Sequence, residues 1–260
     1  MAKAGRLEAK VALITGAATG VPDSLMGFGG ASAWAFTAEG AQVMLADIDD
    51  ELGERSAAAL REAGADAHYV HLDVTSAAEW QAGVALTVER FGSLDILVNN
   101  AGTGARYRVE DTSEELWDQQ MDVHAKGVFL GTREVIPAMR KAGGGSIINV
   151  SSIYGIVGSP SSTAYHAAKG AIRAFSKSAA VQYAAENIRV NSLHPGYALT
   201  RLTEQTFADP KVSQWLHDRI PMGRLGTAAD LVGGIVFMAS DESRYMTGAE
   251  LVIDGGVTAQ

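Results

Sequence analysis

The sequence predicts an α/β fold: a single doubly wound parallel sheet of about seven strands with helices on both faces. Three observations carry this. Short apolar runs alternate with helical patterns of about 10–15 residues, the rhythm of right-handed crossovers between parallel strands. The apolar runs end in Gly, Asp or Asn, where such sheets bind ligands. The length of 260 residues, with 47% hydrophobic content and 29 glycines, suits one sizeable core over residues 1–260.

Taken in order, Val11–Thr15 is a β-rich run leading into Gly16, and a helix is expected from about Gly30 to Glu39, stopped by Gly40. Gln42–Ala46 is a buried strand ending at Asp47, and Glu51–Ala63 an amphipathic helix closed by Gly64. Ala67–Leu72 is a third strand before Asp73, and Ala77–Phe91 the next helix. Asp95–Val98 ends in Asn99 and Asn100, and one long helix is expected over Glu114–Met139. Ser146–Val150 reads as a buried strand and Thr163 to about Tyr183 as an Ala-rich helix. Arg189–Leu193, a helix over Ala228–Ala239 and a last strand over Ala249–Ile253 complete the pattern.

The formal charge of −9 and the pI near 5.1, with no basic stretch to offset them, argue against a nucleic-acid or anionic-membrane partner. The absence of cysteine excludes disulfides and thiolate chemistry and suits the cytoplasm. The first apolar run is too short for a signal-peptide core or a membrane span. The histidines show no metal-ligand spacing, so no metal is expected.

The chain is organised around Ser152–Lys169. Lys169 follows Tyr165 by one helical turn, so its ammonium can share a face with the phenol, lower its pKa and make Tyr165 a usable acid and base. Ser152, at a strand end, can hold a substrate oxygen beside it. The turn from Gly16 through Gly27 and Gly29 permits close approach of a pyrophosphate to backbone and helix N-terminus. Asp47 can accept hydrogen bonds from ribose hydroxyls and repel a 2′-phosphate, or can cap a helix; Asp73 has the same two readings, with adenine as its ligand.

With these residues in order the chain resembles the short-chain dehydrogenase/reductases over almost its whole length. Asn99-Asn100-Ala101-Gly102 is similar to the family's element after strand four, and Ser152, Tyr165 and Lys169 match its Ser and Tyr-x-x-x-Lys. Pro195-Gly196-Tyr197-Ala198-Leu199-Thr200 matches its Pro-Gly-x-x-x-Thr, and Ile188–Asn191 and Ile253–Gly256 are also similar. The resemblance implies a Rossmann-like domain in which Ser152 holds the substrate hydroxyl, Tyr165 takes its proton as hydride passes to the nicotinamide, and Lys169 serves both phenol and ribose. It implies cofactor contacts at Gly16, Gly27, Gly29, Asp47, Asp73, Asn99, Ala101, Gly102, Tyr165, Lys169, Pro195, Gly196 and Thr200. It also implies a homotetramer paired through the long helix and the Tyr165 helix, whose Ala167, Ala171, Ala174 and Ser178 are small.

Two places depart from the family. His124 stands where Asn is usual; helical spacing groups it with Trp117, Met121 and Val128, which favours a neutral core histidine over a proton relay. His194, before Pro195, suits either the pocket or a turn. The second departure is seven extra residues in the glycine turn, placed between Ala18 and Gly27 if Gly27 and Gly29 are the family's last two glycines, or at Pro22–Phe28 if Gly20 is its second; the first pairing is preferred. Pro22 and Asp23 are poor partners for a pyrophosphate, and Leu25, Met26 and Phe28 allow a lid over the cofactor as an alternative to a surface bulge. Asp47 and the lack of a basic residue between Gly16 and Gly30 favour NAD over NADP. Tyr154, Tyr197 and the segment to about Met222, with Leu202, Phe207 and Trp215, favour an apolar secondary alcohol or ketone. A 3-oxoacyl-thioester reductase and a cofactor-binding regulatory protein without turnover are the alternatives.

Overall fold

Strands of four to eight residues, apolar on both faces, build the centre of the molecule, because each side of the sheet is covered by helices. The structure, a computed structural model, describes residues 5–22 and 24–260. In chain order the elements are β1 (Val11–Thr15), α1 (Phe28–Ala38), β2 (Gln42–Asp47), α2 (Asp50–Glu62), β3 (Ala67–His71), α3 (Ala77–Phe91), β4 (Ile96–Asn99), α4 (Glu114–Gln120), α5 (Gly127–Ala142), β5 (Gly145–Val150) and α6 (Thr163–Tyr183). They continue with β6 (Ile188–Pro195), β7 (Ala198–Leu199), α7 (Glu204–Phe207), α8 (Pro210–His217), β8 (Gly226–Thr227), α9 (Ala228–Ala239) and β9 (Glu250–Ile253).

The seven-stranded sheet runs β3-β2-β1-β4-β5-β6-β9, all parallel, and β7 pairs with β8 outside it. Successive residues of β1 feed opposite faces. Ala12 and Ile14 join a core with Phe36 of α1, Leu60 of α2 and Ile235 of α9, while Val11 and Leu13 join one with Trp80 of α3, Val135 of α5 and Ala180 of α6. Chain order reverses between β1 and β4, and this switch point opens a crevice at the carboxyl ends of the strands. The helices start where short polar side chains offer a cap: Asp49 accepts from Leu52 N, Ser76 from Glu79 N and Ser113 from Leu116 N.

The helix expected over Glu114–Met139 is not continuous. A wide π-helical turn, Met121–Lys126, separates α4 from α5, and α5 runs on to Ala142. This turn breaks the simple periodicity. His124 and Val128 are buried, but Trp117, expected on the same face, is 39% exposed. The other expected elements are present, with β6 longer at both ends and α1 starting earlier, at Phe28.

Candidate active site

The ends of β1 and β4 and the start of α1 meet in backbone contact. Gly16 adopts φ +65°, and a Cβ there would lie 2.8 Å from Ala101 Cα. A Cβ on Gly29 would lie 2.2 Å from Gly16 O, so α1 packs on the turn only because position 29 has no side chain. Thr15 Oγ1 accepts from Asn100 N (3.0 Å) and Ala101 N (3.1 Å), and Asn100 Nδ2 donates back to Thr15 O (2.9 Å) and Gly16 O (3.1 Å). Gly27 is the N-cap of α1, no side chain caps the helix, and both Gly27 and Phe28 line the cavity. Gly27 N is taken by Thr19 Oγ1, so the backbone amides open there to an anionic group begin at Phe28. Gly29 and Asn99 do not line it: Gly29 faces Gly16, and Asn99 Nδ2 donates to Asn149 Oδ1 beneath the site (2.9 Å). These two expected contact residues shape the site from behind.

The extra residues in the turn are fastened at their base. Ser56 Oγ donates to Ala18 O (2.6 Å) and accepts from Gly20 N (3.0 Å), and Trp34 Nε1 donates to Gly20 O (2.6 Å). Gly27 N donates to Thr19 Oγ1 (3.0 Å). Gly27 and Gly29 thus stand at the helix start, as in the preferred pairing, while Gly20 packs on Gly30. Thr19 and Phe28 reach the cavity, whereas Leu25 and Met26 are half-buried elsewhere. Asp23 lies outside the described residues.

Asp47 closes β2 and lines the cavity, with Oδ2 accepting from Ala18 N (2.9 Å) and Oδ1 from Ile48 N (2.8 Å). The carboxylate therefore holds the glycine turn while facing the crevice. Asp73 also lines it and forms an Asx turn, accepting from Thr75 N (2.9 Å) and Thr75 Oγ1 (2.8 Å). Its turn role and its place in the cavity coexist.

At the ends of β5 and β6 the chemistry-bearing groups converge. Lys169, 4% exposed, donates from Nζ to Val150 O (2.9 Å), and Nζ lies 5.4 Å from the Tyr165 ring centroid. Ser151 Oγ donates to Lys169 O (2.9 Å), while Ser152 Oγ accepts from Tyr154 N (3.1 Å). His194 does not line the cavity; its Nδ1 meets Ser152 O (2.9 Å) and its Nε2 meets Ser192 Oγ (2.9 Å), so it braces the serine backbone from below. Burial pushes the Tyr165 phenol up to about 12, countered in part by a hydrogen bond with Ser152, and burial lowers the Lys169 ammonium to about 7. This corrects the sequence expectation: in this arrangement the ammonium is aimed at Val150 O, and burial raises the phenol instead of a nearby cation lowering it.

His124, 1% exposed, sets Nε2 against Thr103 O (2.9 Å) and its ring edge-on to Tyr165, with centroids 5.3 Å apart at 90°. Burial first, and then the Lys169 charge, hold it well below the ordinary histidine range, so it is neutral. A Cβ on Gly102 would come 2.5 Å from His124 Cε1, which is why glycine is needed there. His124 is thus both a core histidine and a cavity wall.

Pro195, Gly196 and Thr200 follow β6 along the cavity, and Gly196 is pressed so closely on Asp254 that a Cβ would lie 2.6 Å from its Cα. Opposite, Tyr154 stacks on His166 (4.3 Å, 17°) and meets Tyr197 edge-on (6.1 Å). Phe207 and Leu202 line the cavity, while Trp215 supports Tyr197 from behind (6.2 Å). The enclosed volume is about 880 Å³. Residue reasoning did not place Thr19, Asn100, Arg106 or Arg201 at the site. Asn100 was visible as the second asparagine of its motif; the two arginines carry no local pattern.

Comparison with known proteins agrees with this geometry. Residues 24–258 match the family model described as enoyl-(acyl carrier protein) reductase. The chain is 44% identical over 255 residues to cyclopentanol dehydrogenase of Comamonas testosteroni, covering 98% of this chain and 99% of that one. It is also 44% identical over 258 residues to 3-alpha-(or 20-beta)-hydroxysteroid dehydrogenase of Mycobacterium tuberculosis, covering 98% and 92%. A gluconate 5-dehydrogenase from Burkholderia cenocepacia, solved with NADP and tartrate, superimposes with a TM-score of 0.92 at 33% identity over 98% of this chain and 97% of that one. Fold, crevice and relatives together define an oxidoreductase that uses NAD(P)(H) on secondary alcohols or ketones. The chain belongs to the short-chain dehydrogenase/reductase family.

Proposed function

We propose that the protein is an NAD-dependent dehydrogenase of cyclic secondary alcohols, or the corresponding ketone reductase, with Tyr165 as its general acid and base. The observation that carries this reading is the convergence of Tyr165, Ser152 and Lys169 on one cavity walled by Tyr154 and Tyr197. The ring alcohols named for the cyclopentanol and hydroxysteroid dehydrogenases support the choice of a cyclic substrate.

The cavity fits a dinucleotide, because glycines 16 and 29 bring backbone to its floor, the N-terminus of α1 is open and a carboxylate ends β2. In this reading the amides of the first turn of α1, from Phe28 onward, hold the pyrophosphate beside Gly27, Asp47 holds the adenosine ribose, Asp73 the adenine, and Ala101 and Gly102 border the ring system. Pro195, Gly196 and Thr200 hold the carboxamide end. When bound, the nicotinamide supplies the hydride acceptor and donor. Ser152 holds the substrate oxygen and its hydrogen bond partly offsets the burial that keeps the phenol protonated, Tyr165 removes or returns the proton, and Lys169 serves the phenol and the ribose from beside the ring. His124 positions the Tyr165 ring by its edge.

The preference for NAD rests on Asp47, on the absence of Lys and Arg from residues 16–30 of the sequence, and on the like-charge repulsion a 2′-phosphate would meet. A cytoplasmic homotetramer, paired through α5 and α6, is the assembly we assign; exposed Phe129 and Val181 on those helices support it. Among the described residues no helix is long and apolar enough to cross a membrane. The test compares kcat/KM with NAD and NADP over cyclic and open-chain secondary alcohols. The expected result is a preference for NAD of at least about tenfold, the scale of one uncompensated charge contact. Equal values would remove Asp47 from its role, and clear preference for NADPH and a 3-oxoacyl thioester would replace the reading.

A further inference from the structure

The charged side chains lining the cavity are sorted by position. The acids, Asp47 and Asp73, stand at the ends of β2 and β3, and both are engaged with backbone amides. Apart from buried Lys169, the cations are Arg106 and Arg201, on the loop after β4 and the segment after β6. Among the described residues neither arginine has an ion pair or a side-chain hydrogen bond, whereas Arg6, Arg108, Arg140, Arg173 and Arg224 all pair with carboxylates. A chain of net charge −9 thus keeps two guanidiniums without a carboxylate partner in the lining of this cavity.

Their place is fixed by neighbours. Tyr107 O accepts from Ser162 N (3.0 Å) and Thr163 N (3.2 Å), which ties the Arg106 loop to the start of α6, one turn before Tyr165. The Arg106 guanidinium lies over the Phe207 ring, 5.8 Å from its centroid, within the range of a cation–π contact. Phe207 is itself buried in the cavity wall. Arg201 follows Thr200 directly, on the segment that carries Leu202 and Phe207. Glu204 and Asp209, the acids of that segment, do not line the cavity. A planar guanidinium set on an aromatic wall suits an anionic oxygen group, which it can bind through two parallel hydrogen bonds.

We propose that the alcohol or ketone turned over here carries an anionic oxygen group, of the carboxylate kind, at its end away from the reacting carbon, and that Arg106 and Arg201 receive it. The proposal rests on the reading that Tyr165 marks the reacting end. Asp47 and Asp73 exclude the same anion from the other end, so the charge orients the substrate in the cavity.

The test uses cyclohexanol, 3- and 4-hydroxycyclohexanecarboxylate and their methyl esters, with the full-length protein and NAD. At least one acid should exceed its ester in kcat/KM by about tenfold or more, the scale of a charge-assisted hydrogen bond. Arg106→Gln and Arg201→Gln should each remove most of that advantage through KM, leaving ester kinetics, NADH affinity and melting temperature near wild type. Binding of cyclohexanecarboxylate, which lacks the hydroxyl, to the NADH complex by NMR titration gives a readout free of turnover, and both substitutions should weaken it. Esters equal to or better than acids, or substitutions that lower acids and esters alike, would overturn the proposal. Weakened NADH affinity in the variants would assign the arginines to the cofactor and also overturn it. If no alcohol is turned over, the reading of Tyr165 fails, and the cyclohexanecarboxylate titration alone decides on the arginines.

Discussion

The two ends of the cavity are built differently. At the cofactor end, side chains are tied to backbone: Asp47 to Ala18 and Ile48, Asp73 to Thr75, Asn100 to Thr15 and Gly16, with glycines at every close approach. At the substrate end, rings lean on rings, two arginines are unpaired and Leu202 is exposed. Between them Lys169 is buried and Tyr165 half-buried, at a cost in ionisation. The comparison teaches that rigid backbone geometry belongs to what every member of the family must bind, while specificity is carried by side chains with few local constraints. Substitutions should therefore act through fold and cofactor at one end, through turnover in the middle, and through substrate choice at the other.

The largest effect is expected at Lys169. Lys169→Met should lower turnover by about 10²–10⁴-fold, the usual contribution of a proton-transfer apparatus. The same change should stabilise the fold in acid. The folded value of about 7 lies below the ordinary 10.5, so the penalty of burying the charge is fully present below pH 7 and fades as the pH rises toward 10.5. Thermal melts of both proteins at pH 6 and pH 9.5 check this: the variant should gain more at pH 6, and an equal change at both would mean that burial does not lower the Lys169 ammonium from its ordinary value.

Next is Gly29→Ala. Its Cβ would sit 2.2 Å from Gly16 O, so β1 and α1 must separate, at about 1–3 kcal/mol for an overpacked site. Denaturant unfolding should show that loss, and NADH affinity should fall with it. Unchanged affinity would mean that the turn does not touch the cofactor.

A smaller effect is expected from His124→Asn, which restores the residue usual in the family. Because His124 is held well below the ordinary histidine value of 6.5, it stays neutral from that pH upward, and its removal should leave the shape of the pH–rate profile unchanged in that range. Turnover should fall by less than about tenfold, below the 10²–10⁴ ascribed to a proton-transfer group. A lost limb in the profile would instead make His124 a proton carrier.

Much of this was legible in the chain. The succession of strands along the chain and their parallel sheet followed from apolar runs with Gly, Asp and Asn at their ends, and the crevice from the positions of those residues; the order of strands within the sheet did not. Ser152, Tyr165 and Lys169 could be brought together because helical spacing and one strand end fix their separation. What periodicity could not give was the π turn at Met121–Lys126, which inserts a register shift and leaves Trp117 exposed. Nor could it give the direction of the Tyr165 shift, because burial depends on the whole packed surround and not on a neighbour one turn away. Asn99 was misplaced for a related reason: adjacent residues at a strand end face opposite ways, so Asn100 reaches the turn while Asn99 is buried against Asn149. Arg106 and Arg201 lie in irregular segments, where sequence carries no period to read.

The most direct test of the account is Tyr165→Phe, assayed for both turnover and cofactor binding. The substitution removes one oxygen and keeps the ring that meets His124 and Tyr154. Stopped-flow and steady-state measurements with a cyclic secondary alcohol should show turnover lowered by about 10²-fold or more, with the NADH Kd within about twofold of wild type. Turnover near the wild-type level in a folded variant that binds NADH normally would contradict the assignment of Tyr165 as the acid and base.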